Sequence, residues 1–343
     1  MTPGAPRIAI VKLSSLGDVI HALPVARALR RALPGAHLTW VVEAREYAIL
    51  RDHPDLDAVV PVDTRRWRRL IWRPSGALEV LGKVGRLRER IRRASFDVAL
   101  DLQGLLKSGL LTAYTGAPVR IGFSSGRCRE RSNALFTNRH VTPPESAHHV
   151  VEQYLSLLAP LGIEPRPAEF HVPVPETAAR RIEELLVKEG VKRGDRLVAI
   201  NPGAGRANKR WAVARWSVLA ERLTCEAGAR LLLLWGPDEA FMAREIALAV
   251  PGHGALLAPP TDLGELTALL KRCRLMIASD TGPLHLAAAL GTPSLGLFGP
   301  TSALRNGPYG AACRGLQSPD GTMDGLDAAA VFEAARGMLE GGA

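Results

Sequence analysis

A single carboxylate follows the first predicted strand, in the segment VKLSSLGDVIH (residues 11–21). Asp18 stands between the apolar run RIAIVKL (7–13), which is typical of a strand, and the run 19–33, which has the apolar spacing of a helix. A carboxylate on such a turn can be held within hydrogen-bond reach of a substrate hydroxyl and take its proton. The alternative is that Asp18 only caps the helix as its N-cap residue. Asp18 is therefore a candidate general base with a structural alternative.

A glycine-rich turn in the second half of the chain could bind phosphate. The segment NPGAGRANKRW (201–211) follows an apolar strand-like run, and Gly203 allows a ligand to approach the backbone closely. Lys209 and Arg210 would supply positive charge. Asn208 stands where a dinucleotide fingerprint needs its third glycine, and the Walker pattern is absent. The alternative is a surface turn with solvated basic residues.

A second possible anion site lies in SDTGPLHLAAALG (279–291). Pro283 predicts the first turn of a helix, and a helix N-terminus offers free N–H groups to an anion. His285 lies on that first turn and could reach the same anion. The alternative is a capped helix whose histidine packs against the sheet. Two anion sites in one half of the chain suggest a diphosphate ligand.

Strand and helix patterns alternate along both halves, which predicts parallel sheets covered by helices. The polar clusters all follow predicted strands, and prolines in 160–175 predict a linker. We therefore expect an α/β protein with two Rossmann-like, doubly wound domains that face each other across a cleft, where such folds bind ligands. The predicted domains are 1–165 and 172–325, followed by a helix within 326–343.

The composition favours an anionic partner. The formal net charge is +10 at pH 7, and RRWRRLIWR (65–73) and RLRERIRR (86–93) each contain five arginines. A solubilising surface is the alternative. The four cysteines show no C-x-x-C spacing, which argues against a zinc site or a disulfide framework. No apolar run is long enough for a transmembrane helix, and no signal peptide is evident, so we expect a cytoplasmic protein.

The motifs together resemble the ADP-heptose–lipopolysaccharide heptosyltransferase family (glycosyltransferase family 9), over roughly residues 7–310. The resemblance is carried by VKLSSLGDVIHALP, RRWR, DLQGLLKS, NPGAGRANKRW and SDTGPLHLAAALGTP…GLFGPT, in that order, and it is greatest to the enzymes that add the first heptose. It implies a GT-B architecture in which the first domain takes a lipid-linked acceptor and the second takes the nucleotide sugar. It also implies that the C-terminal helix returns to the first domain.

The resemblance assigns roles to individual residues. Asp18 would be the catalytic base of an inverting transfer of heptose from ADP-heptose to the inner core of lipopolysaccharide, a Kdo-lipid A type acceptor. Donor binding would use Gly203, Lys209, Glu239, Asp280, Thr281, Gly282 and His285. Acceptor binding would use Ser15, Gly17, Arg65, Arg66, Arg68, Arg69, Gln103 and Lys107. Lys209, His285 and the helix beginning near Gly282 could supply the charge that ADP needs on leaving, which would make a divalent metal ion unnecessary, and no D-x-D-like pair is evident near these motifs. No cofactor is expected, since the ADP-sugar is a substrate.

The same resemblance predicts a peripheral protein at the cytoplasmic face of the inner membrane. The arginines of 65–69 would meet the phosphorylated, acidic acceptor, and Trp67 and Trp72 would lie at the lipid interface. Two other functions stay open at this point. One is a related GT-B enzyme that uses another nucleotide sugar, and the other is a non-catalytic protein that binds anionic ligands. Nucleic-acid binding is disfavoured because the usual motifs are missing.

Overall fold

The computed structural model describes residues 4–70, 72, 76–164, 166–236, 239–252 and 254–341. The chain divides into two compact units, Met1–His171 and Val172–Ala343. The predicted second domain begins at this division, whereas the predicted first domain ends six residues early, at 165. The chain before the division packs on the first unit, because Glu169 pairs with Arg27 and His171 pairs with Asp55.

The first unit is a parallel sheet of six strands in the order β3-β2-β1-β4-β5-β6. This is the strand order typical of Rossmann folds. Its strands are β1 (Arg7–Val11), β2 (His37–Glu43), β3 (Ala58–Val62), β4 (Val98–Asp101), β5 (Val119–Phe123) and β6 (Arg139–Val141), and its helices are α1 (Leu16–Ala32), α2 (Thr64–Leu70), α3 (Gly76–Arg93), α4 (Leu106–Tyr114) and α5 (Val150–Ser156).

The second unit repeats the same topology in a sheet ordered β12-β11-β10-β7-β8-β9, also parallel throughout. Its strands are β7 (Arg196–Asn201), β8 (Ala229–Leu233), β9 (Ala255–Leu257), β10 (Leu275–Ser279), β11 (Ser294–Phe298) and β12 (Cys313–Gln317). Its helices are α6 (Glu176–Lys188), α7 (Val213–Cys225), α8 (Ala240–Leu248), α9 (Leu263–Arg272), α10 (Gly282–Ala289), α11 (Ala303–Asn306) and α12 (Ala328–Glu340).

The central strands are buried on both faces, which explains their continuous apolar sequences. Every residue of β10 and β11 is buried, as are all residues of β1 and β7 except the first. Full burial of one such Val, Leu or Ile side chain contributes about 1.5–3 kcal/mol. The predicted α/β fold with two Rossmann-like units is therefore confirmed.

The C-terminal helix does not follow the prediction. Helix α12 packs against α7 and β10, and its buried Phe332 belongs to the core of the second unit. The guanidinium of Arg222 lies 3.9 Å from the centre of the Phe332 ring. Asp327 caps the helix by accepting hydrogen bonds from two backbone N–H groups. The expectation that this helix returns to the first unit is wrong, because its apolar face fills the core of the second.

Each sheet reverses its strand order next to its first strand, and this reversal decides which loops meet. In the first unit β1 lies between β2 and β4, and in the second unit β7 lies between β8 and β10. The crevice at the carboxyl ends of such a pair is where open α/β sheets bind ligands. The loops at these two points are residues 12–15, which lead into the first turn of α1, with 102–105 in the first unit, and 202–212 with 280–281 in the second.

Candidate active site

Asp18 lies in the first turn of α1, and the N-cap of that helix is Ser15. The alternative that Asp18 is itself the N-cap is therefore wrong. Its Oδ2 accepts hydrogen bonds from the Ser15 backbone N–H, at 3.0 Å, and from the Ser15 hydroxyl, at 2.9 Å. The predicted residue Gly17 is buried in the same turn. A carboxylate is favourable at a helix N-terminus, and this one is held in a fixed orientation while 37% of its side chain stays exposed.

Lys12 stands beside Asp18 and is not among the residues predicted from the sequence. Its ammonium Nζ lies 3.6 Å from Asp18 Oδ1 and donates to the Tyr154 hydroxyl, at 2.6 Å, and to the Leu102 carbonyl, at 3.3 Å. Burial acts to lower the pKa of Lys12, but Tyr154 and Asp18 act in the opposite direction and leave its pKa above the ordinary value. The signal in the sequence was a lysine directly after an apolar strand.

Gln103, predicted to bind the acceptor, joins the two loops of the first unit. Its Oε1 accepts from the backbone N–H groups of Leu13, at 2.8 Å, and Ser14, at 3.3 Å, and its Nε2 donates to the Ser14 carbonyl at 2.8 Å. The buried Asp101 holds the Gln103 loop by accepting from the Gln103 N–H and the Ser108 hydroxyl. This arrangement fixes the turn that carries Asp18.

The remaining predicted acceptor residues are Lys107 and the arginines of α2, and Glu43 contacts Lys107 and the first residue of α2. This buried carboxylate accepts from the N–H and hydroxyl of Thr64, at the start of α2, and lies 3.6 Å from Lys107 Nζ. Helix α2 carries the predicted arginines, of which Arg65, Arg66 and Arg69 are exposed, while the Arg68 side chain lies outside the described residues. The structure therefore joins Lys107 to the arginine helix through one carboxylate.

Trp67 is also on α2 and is half-buried. It packs against the core of the first unit, which includes Val60 and Ile91. This packing does not support a lipid contact by Trp67, whereas Trp72 is 86% exposed.

In the second unit, one carboxylate collects most of the predicted donor residues. Asp280 follows β10 and pairs with Lys209 Nζ at 2.5 Å and with His285 Nε2 at 3.1 Å, and it accepts from the Thr301 hydroxyl at 3.0 Å. Burial acts to raise the pKa of Asp280, but His285 and Lys209 more than offset this effect and hold its pKa well below the ordinary range. Asp280 is therefore ionised, and it fixes the Lys209 ammonium and the His285 ring.

The neighbouring predicted residues complete this end of the sheet. Thr281 is the N-cap residue of α10, which begins at Gly282, and its hydroxyl accepts from the Asn201 side chain at 3.3 Å. His285 is buried in the first turn of α10. The first N–H groups of α10 have no partner within the helix, so they can bind an anion close to Lys209.

Glu239 and Gly203 lie against each other. A Cβ atom at Gly203 would overlap the Glu239 carboxylate, so this glycine is required by close approach. Glu239 accepts from the Gly236 N–H at 3.2 Å and lies 3.7 Å from Arg210 NH2. The structure thus brings the loops after β7 and β8 together, with a carboxylate at their junction. Residues 237 and 238 of this loop lie outside the described part of the chain.

Comparison with known proteins identifies the family. The model of glycosyltransferase family 9 (heptosyltransferase) matches residues 84–333. Lipopolysaccharide heptosyltransferase 1 of Pseudomonas aeruginosa is 35% identical over 89% of this chain and 81% of its own, and that of Escherichia coli K12 is 29% identical over 95% and 98%. The structure of E. coli heptosyltransferase WaaC with ADP has a TM-score of 0.80 at 27% identity, and the match covers 98% of this chain and all of that one. The resemblance seen in the motifs is confirmed: the chain belongs to glycosyltransferase family 9, the heptosyltransferases, and is a glycosyltransferase.

Proposed function

We propose that this protein transfers a heptose from ADP-heptose to the inner core of lipopolysaccharide, with inversion at the anomeric carbon. The observation that carries the proposal is the cluster of Lys209, Asp280 and His285 at the N-terminus of α10. This cluster combines two fixed basic groups with free backbone N–H groups, which suits a diphosphate leaving group. The relative whose structure contains ADP supports the same donor nucleotide.

Lys209 and the α10 N-terminus would stabilise the charge that develops on the departing ADP. The Lys209 side chain is 18% exposed, so a phosphate oxygen can reach its ammonium while Asp280 keeps it in place. Because these groups can supply the required charge, we propose that the transfer proceeds without a divalent metal ion. Glu239, half-buried beside Gly203, would accept a hydrogen bond from a ribose hydroxyl of the donor.

Asp18 would act as the general base. As the acceptor oxygen attacks the anomeric carbon, its proton passes to the Asp18 carboxylate, and the bond to the diphosphate breaks with its electron pair on ADP. Ser15 fixes the orientation of the carboxylate, and Gln103 fixes the turn that carries both residues. These contacts support a rigid base of the kind that proton transfer requires.

The acceptor is proposed to be a phosphorylated, acidic sugar on lipid A, bound by α2 and Lys107. The exposed guanidiniums of Arg65, Arg66 and Arg69 can each bind a carboxylate or phosphate in a bidentate manner. Such an acceptor lies in a membrane, and we propose peripheral association with the cytoplasmic face of the inner membrane. In the described part of the chain no helix is both long enough and apolar enough to cross a bilayer.

The membrane contact would be made by α3 and the turn before it. Trp72, Leu78 and Leu81 expose 86%, 74% and 66% of their surfaces, although apolar side chains of this size are usually buried. Helical spacing places the exposed Arg88 and Arg92 on the same side of α3 as Leu81. We call Trp72, Leu78, Leu81, Arg88 and Arg92 the α3 surface. Apolar groups flanked by arginines suit an anionic lipid surface.

The test is transfer by the purified protein. With ADP-heptose and a Kdo-lipid A acceptor, we expect ADP release and an acceptor product heavier by one heptose, and we expect both to persist in excess EDTA. Lys209→Ala should weaken ADP binding in calorimetry by about 1.5–3 kcal/mol, the value of a charged hydrogen bond. Lys188→Ala, at an exposed lysine in the same unit, is the control. Transfer from UDP-sugars but not from ADP-heptose would favour the related GT-B enzyme instead.

A further inference from the structure

We infer that Lys12 is a positioning residue for the general base: its buried ammonium holds the Asp18 carboxylate in the ionised, oriented form that removes the acceptor proton. This inference rests on the proposed function, because it takes Asp18 to be the base. It adds a residue that acts through Asp18 and has no assigned contact with either substrate.

The first argument is where Lys12 lies. It directly follows β1, and its side chain is 3% exposed, so the ammonium has lost nearly all of its hydration. A buried cation is costly unless a counter-charge and hydrogen-bond partners compensate. The interior of a sheet is stabilised equally well by an apolar side chain. A lysine at this position is therefore explained by the carboxylate that its charge faces.

The second argument concerns the partners of the ammonium. Tyr154 from α5 and the carbonyl of Leu102 accept hydrogen bonds from Nζ. The nearby carboxylates are Asp18 and Asp101. Asp101 is already the acceptor for four hydrogen-bond donors, from Gln103, Gly104, Ser108 and Asn133. Asp18 is the carboxylate at ion-pair distance, with Oδ1 3.6 Å from Nζ.

The proposed reaction requires Asp18 to be ionised and Lys12 to stay protonated. A general base must be ionised before it accepts a proton, and a cation within about 4–6 Å favours the ionised carboxylate. During transfer, the acceptor oxygen bonds to the anomeric carbon, ADP leaves with the electron pair, and the hydroxyl proton moves to Asp18. Lys12 keeps its own protons, since its hydrogen bonds to Tyr154 and Leu102 stabilise the charged form. Asp18 then releases the proton to water.

The test is the dependence of kcat on pH at saturating substrates. Lys12→Gln removes the charge but can still donate hydrogen bonds to Tyr154 and Leu102. We expect the acidic limb of its kcat–pH profile to move to higher pH by about one unit. This is the low end of the pKa shifts that a neighbouring charge causes, because Asp18 is 37% exposed. Lys12→Arg should keep the wild-type limb, and KM for ADP-heptose should stay unchanged in both. Lys188→Gln makes the same change in net charge on an exposed lysine of α6 and should leave the profile unchanged.

Two results would overturn the inference. One is an acidic limb in Lys12→Gln that coincides with that of the wild type, and the other is an equal shift in Lys12→Gln and Lys12→Arg. If Lys12→Gln does not fold, Lys12→Met is measured in its place, with the same expectations. Asp18→Asn separates this inference from the proposed function. Near-normal turnover in Asp18→Asn would show that Asp18 is not the base and would contradict the proposed function. Lost turnover in Asp18→Asn, together with a wild-type acidic limb in the pH profile of Lys12→Gln, would contradict only the role of Lys12.

Discussion

The two central carboxylates, Asp18 and Asp280, differ in environment and therefore in role. Asp280 is surrounded by Lys209, His285 and Thr301, so its negative charge is used to hold basic groups in place. Asp18 is partly exposed, and a substrate hydroxyl can approach it. The same residue type thus serves as an internal counter-ion in the second unit and as the proposed base in the first.

Asp18→Asn should lose most turnover while keeping the fold and ADP binding. The amide oxygen can still accept from Ser15, so the first turn of α1 is preserved, but an amide does not take the acceptor proton. We expect kcat to fall by about 10²–10⁴-fold. Steady-state kinetics, with calorimetry for ADP and a thermal melt as controls, measure this. Turnover within a few-fold of wild type would mean that Asp18 serves only the helix terminus.

The low pKa of Asp280 predicts a loss of stability in acid. A carboxyl whose pKa is lower in the folded than in the unfolded chain stabilises fully above its unfolded pKa, about 3.9, and loses that contribution as pH falls through the folded value. Wild type should therefore lose stability below about pH 5 more steeply than Asp280→Asn. Thermal unfolding at a series of pH values measures the difference. Asp52→Asn, whose carboxylate is 93% exposed, should follow wild type; equal curves for wild type and Asp280→Asn would contradict the argument.

Helices and strands with a clear periodicity of apolar residues were predictable from the sequence, whereas features defined by packing were not. The apolar runs before Asp18 and Asp280 predicted β1 and β10, and parallel topology then placed the polar turns at the sheet edges. The three residues of β9 are too short to give a recognisable pattern. Helix α12 was predicted, but the unit it packs on was predicted wrongly, because an amphipathic helix does not specify which core it covers.

The same distinction applies within the candidate site. Lys209, Asp280 and His285 were selected individually, and the structure shows that they pair. Lys12 was not selected, because a lone lysine after a strand usually points into solvent. Its burial depends on α5, more than a hundred residues further along the chain, and spacing within a short segment does not show such a contact.

The α3 surface predicts a specific optical signal at the membrane. Of the six tryptophans, Trp40, Trp211 and Trp216 are buried, and Trp67 and Trp235 pack against the cores. Trp72 is therefore the tryptophan that lipid can reach most easily. With vesicles containing anionic brominated phosphatidylglycerol, we expect quenching in the wild type that is lost in Trp72→Phe. Neutral phosphatidylcholine vesicles should quench much less, because the arginines attract anionic headgroups.

Sedimentation with the same vesicles tests the leucines. Leu78→Glu with Leu81→Glu should weaken binding by at least about tenfold, since burial of each leucine is worth about 1.5–3 kcal/mol. Leu248→Glu with Val187→Glu, at side chains of the second unit that are 87% and 63% exposed, adds the same two charges and is the matched control. Equal binding by the double variant and wild type, or quenching that survives in Trp72→Phe, would place the membrane contact elsewhere.

At the scale of the whole molecule, two properties can account for acceptor binding: the total net charge and the positions of individual arginines. The formal net charge of +10 attracts anions of every kind, and such long-range attraction is screened by salt. A site that recognises phosphate or carboxylate needs guanidiniums at particular positions. Two double variants with the same total charge separate these effects.

Arg65→Ala with Arg69→Ala removes two exposed arginines one helical turn apart on α2, and Arg180→Ala with Arg244→Ala removes two exposed arginines of the second unit. Each pair lowers the formal net charge from +10 by two. We expect the α2 pair to raise KM for the acceptor by about tenfold, or about 1.4 kcal/mol, with affinity for ADP unchanged. The control pair should leave both constants near wild type. The increase in acceptor KM caused by the α2 pair should become smaller as salt is raised, because screening also weakens the native contacts.

Two outcomes would contradict this assignment. If both pairs raise KM for the acceptor equally, the acceptor responds to total charge and α2 is not its binding site. If the α2 pair weakens ADP binding instead, those arginines belong to the donor site.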